Sequence, residues 1–516
     1  MKTLITSVVA VVAVQSLFAT IELGAPFTDG AVLQRGMKCP VWGRAGAGSE
    51  ITVEFAGQSL ETVAAADGGW RVDLEPMEAS AESRVLAVKE CEPGWFGSTL
   101  DEVEVKDVLV GEVWFASGQS NMECPIWGNS TRYRDFQGGF MTTMTYLPCV
   151  RYVKNDRKWS VTPRDLKAKW CKYTPEYLQL FNRIDTMVGG KRTGVSLSAV
   201  AFYYARELYL ALGVPVGIVD SSWGGTNIDA WTPRSGYEGC DASLKETAQY
   251  PVKAEWNAAT DKRGPIGGSQ QQPTVLYNGM VAAYAPMAMR GFIWYQGCHN
   301  SGEADLYAAK MHALYNGWAK DFENPALKLY FVQLAPYSSN WNRLVAAQDR
   351  FAAEEPNASL AVTADLGNFH DIHPNRKEAV AKRLVIHALK QDYGLAIPED
   401  QSPVFRSLTV NGARASVAFD HAVSMYVYSP DFSAAAPFEL AGADGVWKPA
   451  KIVNYGVVKN WQGKEVNSYT FDKPVIELEA EGVAEPRKVR YMGQPKVAGT
   501  VYNQASLPLG PFEASK

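Results

Sequence analysis

Beyond its first residues the chain has no apolar run of membrane length, its cysteines form no CxxC pair, and basic residues do not outnumber acidic ones. Each shortage removes a class of function. A spanning helix needs about 20 consecutive apolar residues, so a mature chain free of the membrane is expected. Seven cysteines (Cys39, Cys91, Cys124, Cys149, Cys171, Cys240 and Cys298) are too sparse for a disulfide framework; one or two bridges fit the count, with at least one thiol left over. A formal charge of -5 and an isoelectric point near 5.8 supply no basic stripe for a phosphate backbone, so nucleic acid is not an expected partner. A local pocket can still take an anionic sugar. Low-complexity tracts and short-period repeats are missing as well, and 47% hydrophobic with 20% charged residues is the composition of a folded chain rather than a disordered one.

What is present starts with a leader. Met1-Lys2-Thr3, the apolar run Leu4 to Val14 and Ser16-Leu17-Phe18-Ala19 match the basic, apolar and cleavage regions of a signal peptide, expected over residues 1–19. The protein is therefore expected to be exported, periplasmic or secreted. The 516 residues exceed one ordinary core, and about two to four domains are expected. Asn129-Ser130-Thr131 and Asn357-Ala358-Ser359 match the glycosylation sequon, a pattern frequent by chance.

Residues 20–105 alternate short apolar strands with Gly and Pro, as in Val41-Trp42-Gly43 and Ile51-Thr52-Val53-Glu54-Phe55, which reads as a small β-sandwich. Residues 106–395 change to strands followed by helical stretches, the pattern of an α/β domain with a mostly parallel sheet. Its first strand is Val108 to Ala116. A helix is expected from Ser198 to Leu212, with Val200, Tyr203, Tyr204, Leu208 and Leu212 on one face and Gly213 placed to end it. Further strands are expected at 216–219, 291–295, 329–334 and 359–363, and helices near 306–322, 342–354 and 375–390. Residues 396–516 return to strands alone, including Ser416 to Phe419 and Val489 to Tyr491, a C-terminal β domain. The segment 125–191 shows no clear unit and reads as a long insertion near the site.

Four polar or glycine-rich clusters follow the strands expected in the middle domain: Ser117 to Met122, Ser222 to Thr226, Gln296 to Asn300, and Asp371 to Pro374. In an open α/β sheet ligands bind beyond the carboxyl ends of the strands, so the clusters point to one shared site. Ser120 would be exposed by a tight turn at Gly118. Met122 stands where a G-x-S-x-G elbow needs its last glycine, which argues against an α/β-hydrolase. A serine nucleophile needs a neutral imidazole, and the six histidines are His299, His312, His370, His373, His387 and His421. His312 and His387 fall inside expected helices and His421 in the last β region. His373 is held in a loop by Pro374 with Asp371 near enough to orient it, and His370 and His299 remain alternatives. Gly224 and Gly225 would let backbone amides approach an oxyanion, with Asn300 as a side-chain donor.

These blocks resemble those of the SGNH hydrolase superfamily in its sialate O-acetylesterase branch: Gly118-Gln119-Ser120-Asn121-Met122, Ser221 to Thr226, Trp294 to Gly297 with Asn300, and Asp371 to Pro374. The likeness extends to Ala31 to Arg35, Pro40 to Gly43 and Phe438 to Gly445, and so over nearly the whole mature chain. It implies an SGNH-hydrolase-like, mostly parallel sheet flanked by helices, with β accessory domains at both ends. It implies Ser120 as nucleophile, His373 as base with Asp371 behind it, and an oxyanion hole from the Ser120 amide, the Gly225 amide and the Asn300 side chain. Gln119, Trp223 and Gln296 belong to the same blocks and are expected to touch substrate. The implied reaction is hydrolysis of O-acetyl groups on carbohydrate, 9-O-acetylated sialic acid foremost, through an acetyl-serine and without a metal or other cofactor.

Two positions depart from the pattern. Cys298 stands where the branch usually has an acidic residue, and His370 where the wider superfamily has an aspartate three residues before the histidine, which leaves a Ser120–His373 dyad open. A sialate carboxylate calls for a guanidinium partner, for which Arg132, Arg134 and Arg183 are candidates. Xylan or pectin acetyl groups are the alternative substrates. A non-catalytic carbohydrate-binding protein is the alternative of another class, since the 15 tryptophans, 24 tyrosines and two flanking β domains would serve it.

Overall fold

The computed structural model describes residues 21–92, 99–126, 145–178, 197–242, 244–245, 269–428, 437–459, 462–467 and 470–516, together with two short strands at 187–188 and 191–192. The expected leader, the Asn129 sequon and Arg132, Arg134 and Arg183 lie outside the described residues.

Strands β1 (Thr99–Gly118), β2 (Leu147–Lys154), β3 (Cys171–Tyr173), β4 (Val216–Ser222), β5 (Gly291–Tyr295), β6 (Lys328–Val332) and β7 (Ala358–Ala361) lie in the order β3-β2-β4-β1-β5-β6-β7. Only the edge strand β3 is antiparallel to its neighbour; every other pairing on this path is parallel. Parallel strands require crossovers; helices α1 (Ser120–Glu123), α2 (Ala199–Leu212), α3 (Ala304–Asp321) and α4 (Asn342–Glu354) lie in the connections, and α5 (Lys377–Gln391) follows β7. The strands can be as apolar as Gly291-Phe292-Ile293-Trp294-Tyr295, buried throughout, because both faces of the sheet are covered. Consecutive side chains of β1 show this: Trp114 packs against Tyr204 of α2 at 5.2 Å, and Phe115 against Trp318 of α3 at 5.3 Å. Helix α2 matches its expected span. The Ser198 side chain caps it by accepting from the Ala201 amide, and Gly213 ends it in the left-handed conformation.

The segment that showed no clear unit contains an integral strand. β2 pairs in parallel with β4 from Val150 to Lys154. Its signal is broken by Arg151 and Lys154, which look like loop residues until their partners are seen. Arg151 meets Asp107 of β1 at 3.0 Å, and Lys154 meets Asp220 of β4 at 2.8 Å, so both charges are neutralised by other strands.

The boundary expected near residue 105 falls inside a single strand. The first half of β1 pairs antiparallel with Ser80–Cys91 of the N-terminal β region, and the second half pairs in parallel with β4 and β5. The expected N-terminal strands appear as Cys39–Arg44 and Glu50–Phe55, in two separate sheets. At the C-terminal end, a seven-stranded antiparallel sheet runs from Val404–Asn411 to Phe512–Ser515. None of the seven cysteines is paired; the expected thiol is left over, and the bridges that the count allowed are not formed. Among the described residues no helix is long and apolar enough to cross a membrane.

Glu112, fully buried at the middle of β1, locks the junction. Its carboxylate takes Gln34 Nε2 at 3.0 Å and Arg35 Nε at 2.5 Å from the N-terminal region, and Arg290 Nε at 3.3 Å from the start of β5. Both guanidinium groups also lie 5.9 Å from the Tyr393 ring, whose hydroxyl accepts from Trp114 Nε1. Removing one member of a buried charge cluster leaves the others uncompensated. Glu112→Ala is therefore expected to lower stability by about 3 kcal/mol in guanidinium unfolding followed by tryptophan fluorescence; a loss under about 1 kcal/mol would contradict the assigned role.

Candidate active site

Strand β1 ends at Gly118, whose φ of 137° lies where only glycine is at ease. A Cβ there would stand 2.4 Å from the Tyr295 carbonyl oxygen of β5, so the close approach also requires glycine. The turn continues with Gln119, whose amide donates to that same carbonyl at 3.0 Å, and Ser120 then opens α1. The Gln119 side chain accepts from the amides of Gly297 (3.1 Å) and His299 (3.3 Å), tying the serine turn to the loop after β5. The hydroxyl-bearing residue is thus held from two strand ends.

His373 arrives from the loop between β7 and α5. Its Nε2 lies 2.8 Å from Ser120 Oγ. Asp371 Oδ1 accepts from the His373 amide at 2.9 Å and faces Nδ1 at 3.3 Å, which orients the ring. His299 and His370 are exposed, whereas the other three rings face carboxylates elsewhere: His312 toward Glu354, His387 toward Asp400 and His421 toward Glu399. Of the six histidines, only His373 reaches Ser120. Burial, reinforced by the Lys377 ammonium and opposed by Asp371, lowers its pKa from the ordinary 6.5. A neutral imidazole with Nδ1 protonated and Nε2 free is the form that can take a proton from the Ser120 hydroxyl.

The amides available to an oxyanion are now distinguishable. Gly224 N–H donates to Glu123 Oε2 at 2.8 Å, so it is taken, whereas Gly225 is exposed. Among the described residues the Ser120 and Gly225 amides have no hydrogen-bond partner. Gln271 flanks this turn by accepting from the Asn227 amide and donating to the Gly225 carbonyl. The buried Asn300 carboxamide has a defined orientation: the Ile228 amide can only donate, so it faces Oδ1 (3.0 Å) and leaves Nδ2 to donate to Glu303 (2.8 Å). The second Nδ2 hydrogen remains. Burial would raise the Glu303 carboxyl, yet Lys310, itself bonded to Asp229, holds it below its usual range.

One expected substrate contact is misplaced. Gln296 is fully buried, with Nε2 on the Thr226 carbonyl and Asn300 Oδ1, and Oε1 on the Tyr307 hydroxyl. It braces Asn300 and presents no group to a substrate, because β5 ends in the core rather than at the surface. Gln119, 4% exposed, uses its carbonyl in the same internal way, while Trp223 stays partly exposed beside Gly224. Three residues were missed. Glu123 stands one helical turn after Ser120, a spacing visible in the sequence. Arg157 Nε contacts the second Glu123 oxygen at 2.5 Å, and Lys377 lies buried behind His373; neither carries a local signal.

Activity that depends on neutral His373 is present above its pKa and lost as pH falls through it. With that pKa lowered from 6.5, the acid limb of kcat/KM on an aryl acetate is expected below pH 6.5. A limb centred above that value in steady-state assays would contradict the assignment.

The family model for a carbohydrate esterase, the sialic acid-specific acetylesterase, matches residues 110–385. The sialate O-acetylesterase of Rattus norvegicus is 28% identical over 399 residues, 69% of this chain and 70% of the relative. The human sialate O-acetylesterase is 27% identical over 387 residues, 69% of this chain and 67% of that protein. The crystal structure of a carbohydrate acetylesterase from Xanthomonas citri superposes with a TM-score of 0.76 at 29% identity, covering 96% of this chain and all of the other. Since the matched region spans more than half of its length and holds Ser120, Gly225, Asn300 and His373 together, the chain belongs to the sialic acid-specific acetylesterase family of carbohydrate esterases.

Proposed function

We propose that this esterase is an exported enzyme that removes 9-O-acetyl groups from sialic acid through an acetyl-serine, on an SGNH-type parallel sheet. The observation that carries the mechanism is the 2.8 Å contact between Ser120 Oγ and His373 Nε2. Ser120 attacks the acetyl carbonyl as His373 Nε2 takes its proton. The tetrahedral oxyanion is met by the Ser120 and Gly225 amides and the remaining Asn300 Nδ2 hydrogen, each such donor contributing about 10²- to 10³-fold. His373 returns the proton to the sugar oxygen, which leaves. It then deprotonates water, which attacks the acetyl-serine, and acetate departs as Ser120 regains its proton. Asp371 stabilises the imidazolium at each transfer, and no step calls for a metal.

For the sialate carboxylate the supporting residue is Arg157, which is half-exposed and anchored through Nε on Glu123 beside Gly224. A guanidinium fixed at one edge is suited to pair a carboxylate with the others. Acetylated xylan or pectin is the second reading, favoured by Cys298, a thiol at a position usually acidic in this branch. Export rests on the leader over residues 1–19.

Ser120→Ala and His373→Ala are each expected to lose several orders of magnitude on an aryl acetate, because nucleophile and base act as a unit. Asp371→Asn should lose about 10⁴-fold if the aspartate sets the tautomer. Activity within tenfold of wild type in either of the first two variants would reject the mechanism, and the same result in the third would establish a dyad.

The substrate is decided by kcat/KM on 9-O-acetylated sialic acid against acetylated xylan and pectin fragments. The sialate is expected to be preferred, and Arg157→Gln to reduce that preference at least about tenfold, or 1.4 kcal/mol. A neutral fragment hydrolysed tenfold better by the wild type would replace the sialate reading with the polysaccharide one.

A further inference from the structure

Lys377, the first residue of α5, is 3% exposed, and among the described residues no carboxylate pairs with it. Its Nζ donates to Asn121 Oδ1 and lies 5.1 Å from the centre of the Tyr295 ring. The other groups acting on it are the thiols of Cys124 and Cys298 and the carboxylate of Asp371. Burial pushes those thiols up, to about 11 and about 12, so both are uncharged at neutral pH. An ammonium buried against a neutral amide, thiols and a ring face costs stability that an apolar side chain of similar size would not. Packing alone does not account for a lysine here.

The geometry around Asn121 does. Asn121 follows Ser120 in the chain, and its Nδ2 donates to the carbonyl of Ile372, the residue before His373, at 3.1 Å. One carboxamide thus bridges the backbone beside the nucleophile to the backbone beside the base. A carboxamide can be turned either way, and turned the other way it would set oxygen against oxygen at Ile372. Burial lowers the Lys377 pKa from its ordinary 10.5; in its ammonium form it has donors only, so it holds Oδ1 toward itself and directs Nδ2 to Ile372. Building on the reading of Ser120 and His373 as nucleophile and base, we propose that Lys377 is a positioning residue that, by fixing the Asn121 carboxamide, holds the His373 loop in register with the helix bearing Ser120.

Its charge also reaches the imidazole. His373 is faced by Ser120 from α1, Asp371 from its own loop and Lys377 from α5; Asp371 favours the protonated ring and Lys377 opposes it. Removing the cation therefore moves the acid limb to higher pH. That shift reports the charge, whereas the loss of kcat reports the positioning.

The test uses the full chain and an aryl acetate, measuring kcat and KM across the acid limb for wild type, Lys377→Met, Lys377→Arg, Asn121→Asp and His373→Ala. Lys377→Met is expected to lose about ten- to a hundredfold in kcat, as for a displaced catalytic group, with KM changed less than about threefold and the acid limb at higher pH. Lys377→Arg should restore the limb toward its wild-type position. Asn121→Asp keeps a partner for the lysine but has no donor for Ile372, and should lose kcat comparably; it carries the test if Lys377→Met fails to fold by circular dichroism. The proposal is overturned if Lys377→Met, or Asn121→Asp in its place, keeps kcat within about twofold of wild type, wherever the limb lies. His373→Ala separates the two levels. If it is inactive while the Lys377 and Asn121 variants behave as wild type, only the positioning role fails. If it is active, the base assignment fails and the positioning role with it.

Discussion

The backbone of Thr99–Gly118 is the constraint on which the molecule depends. One strand of 20 residues is antiparallel partner to the N-terminal β region at its start and parallel partner to β4 and β5 at its end. A register slip of one residue in it would exchange Trp114 and Phe115 between the two faces of the sheet and misplace both helix layers at once. It would also draw Gly118 away from Tyr295, the contact that ends the strand and sets where Ser120 begins its helix. Glu112 guards that register by drawing Arg35 and Arg290 onto the middle of the strand from opposite regions of the chain.

The site at the end of this strand is assembled from side chains that could each face two ways. Gln119 is oriented by the amides of Gly297 and His299, Asn300 by the amide of Ile228, and Gln271 by the amide of Asn227. In each case a backbone N–H that can only donate selects the carbonyl end of a carboxamide. Lys377 performs the same selection on Asn121 with an ammonium. The result is a preorganised arrangement: the orientation of these carboxamides and the charge around His373 are set by the fold itself. The Ser120 hydroxyl and the His373 imidazole already stand 2.8 Å apart.

The charges buried in the central sheet are answered from other strands. Arg151 and Lys154 on β2 are answered by Asp107 and Asp220 on two different strands, and Lys310 on α3 joins Asp229 to Glu303. Glu123 divides its two oxygens between Arg157 and the Gly224 amide, so that the glycine pair of the loop has one amide occupied and one available. This division could not be read from the Gly224-Gly225 doublet itself.

Much of the candidate site was legible because its parts carry local signals. The strand and helix periods over 198–222 and 291–354, the breaks at Gly118 and Gly213, and the turn clusters holding Ser120, Gly225, Asn300 and His373 are properties of short segments, dictated by side-chain shape and backbone freedom. What stayed hidden depends on partners far away in the chain. β2 looked like an insertion because its charges are neutralised only by β1 and β4, and Gln296 looked like a substrate contact because nothing local shows that β5 ends buried. Arg157 and Lys377 acquire meaning only from Glu123 and Asn121. The sequence by itself determined which residues punctuate the elements and which histidine stands in a loop before a proline. Tertiary structure alone decided which carboxamides brace, which amide is free and which ammonium is buried, because hydrogen-bond direction and desolvation are set by neighbours in space.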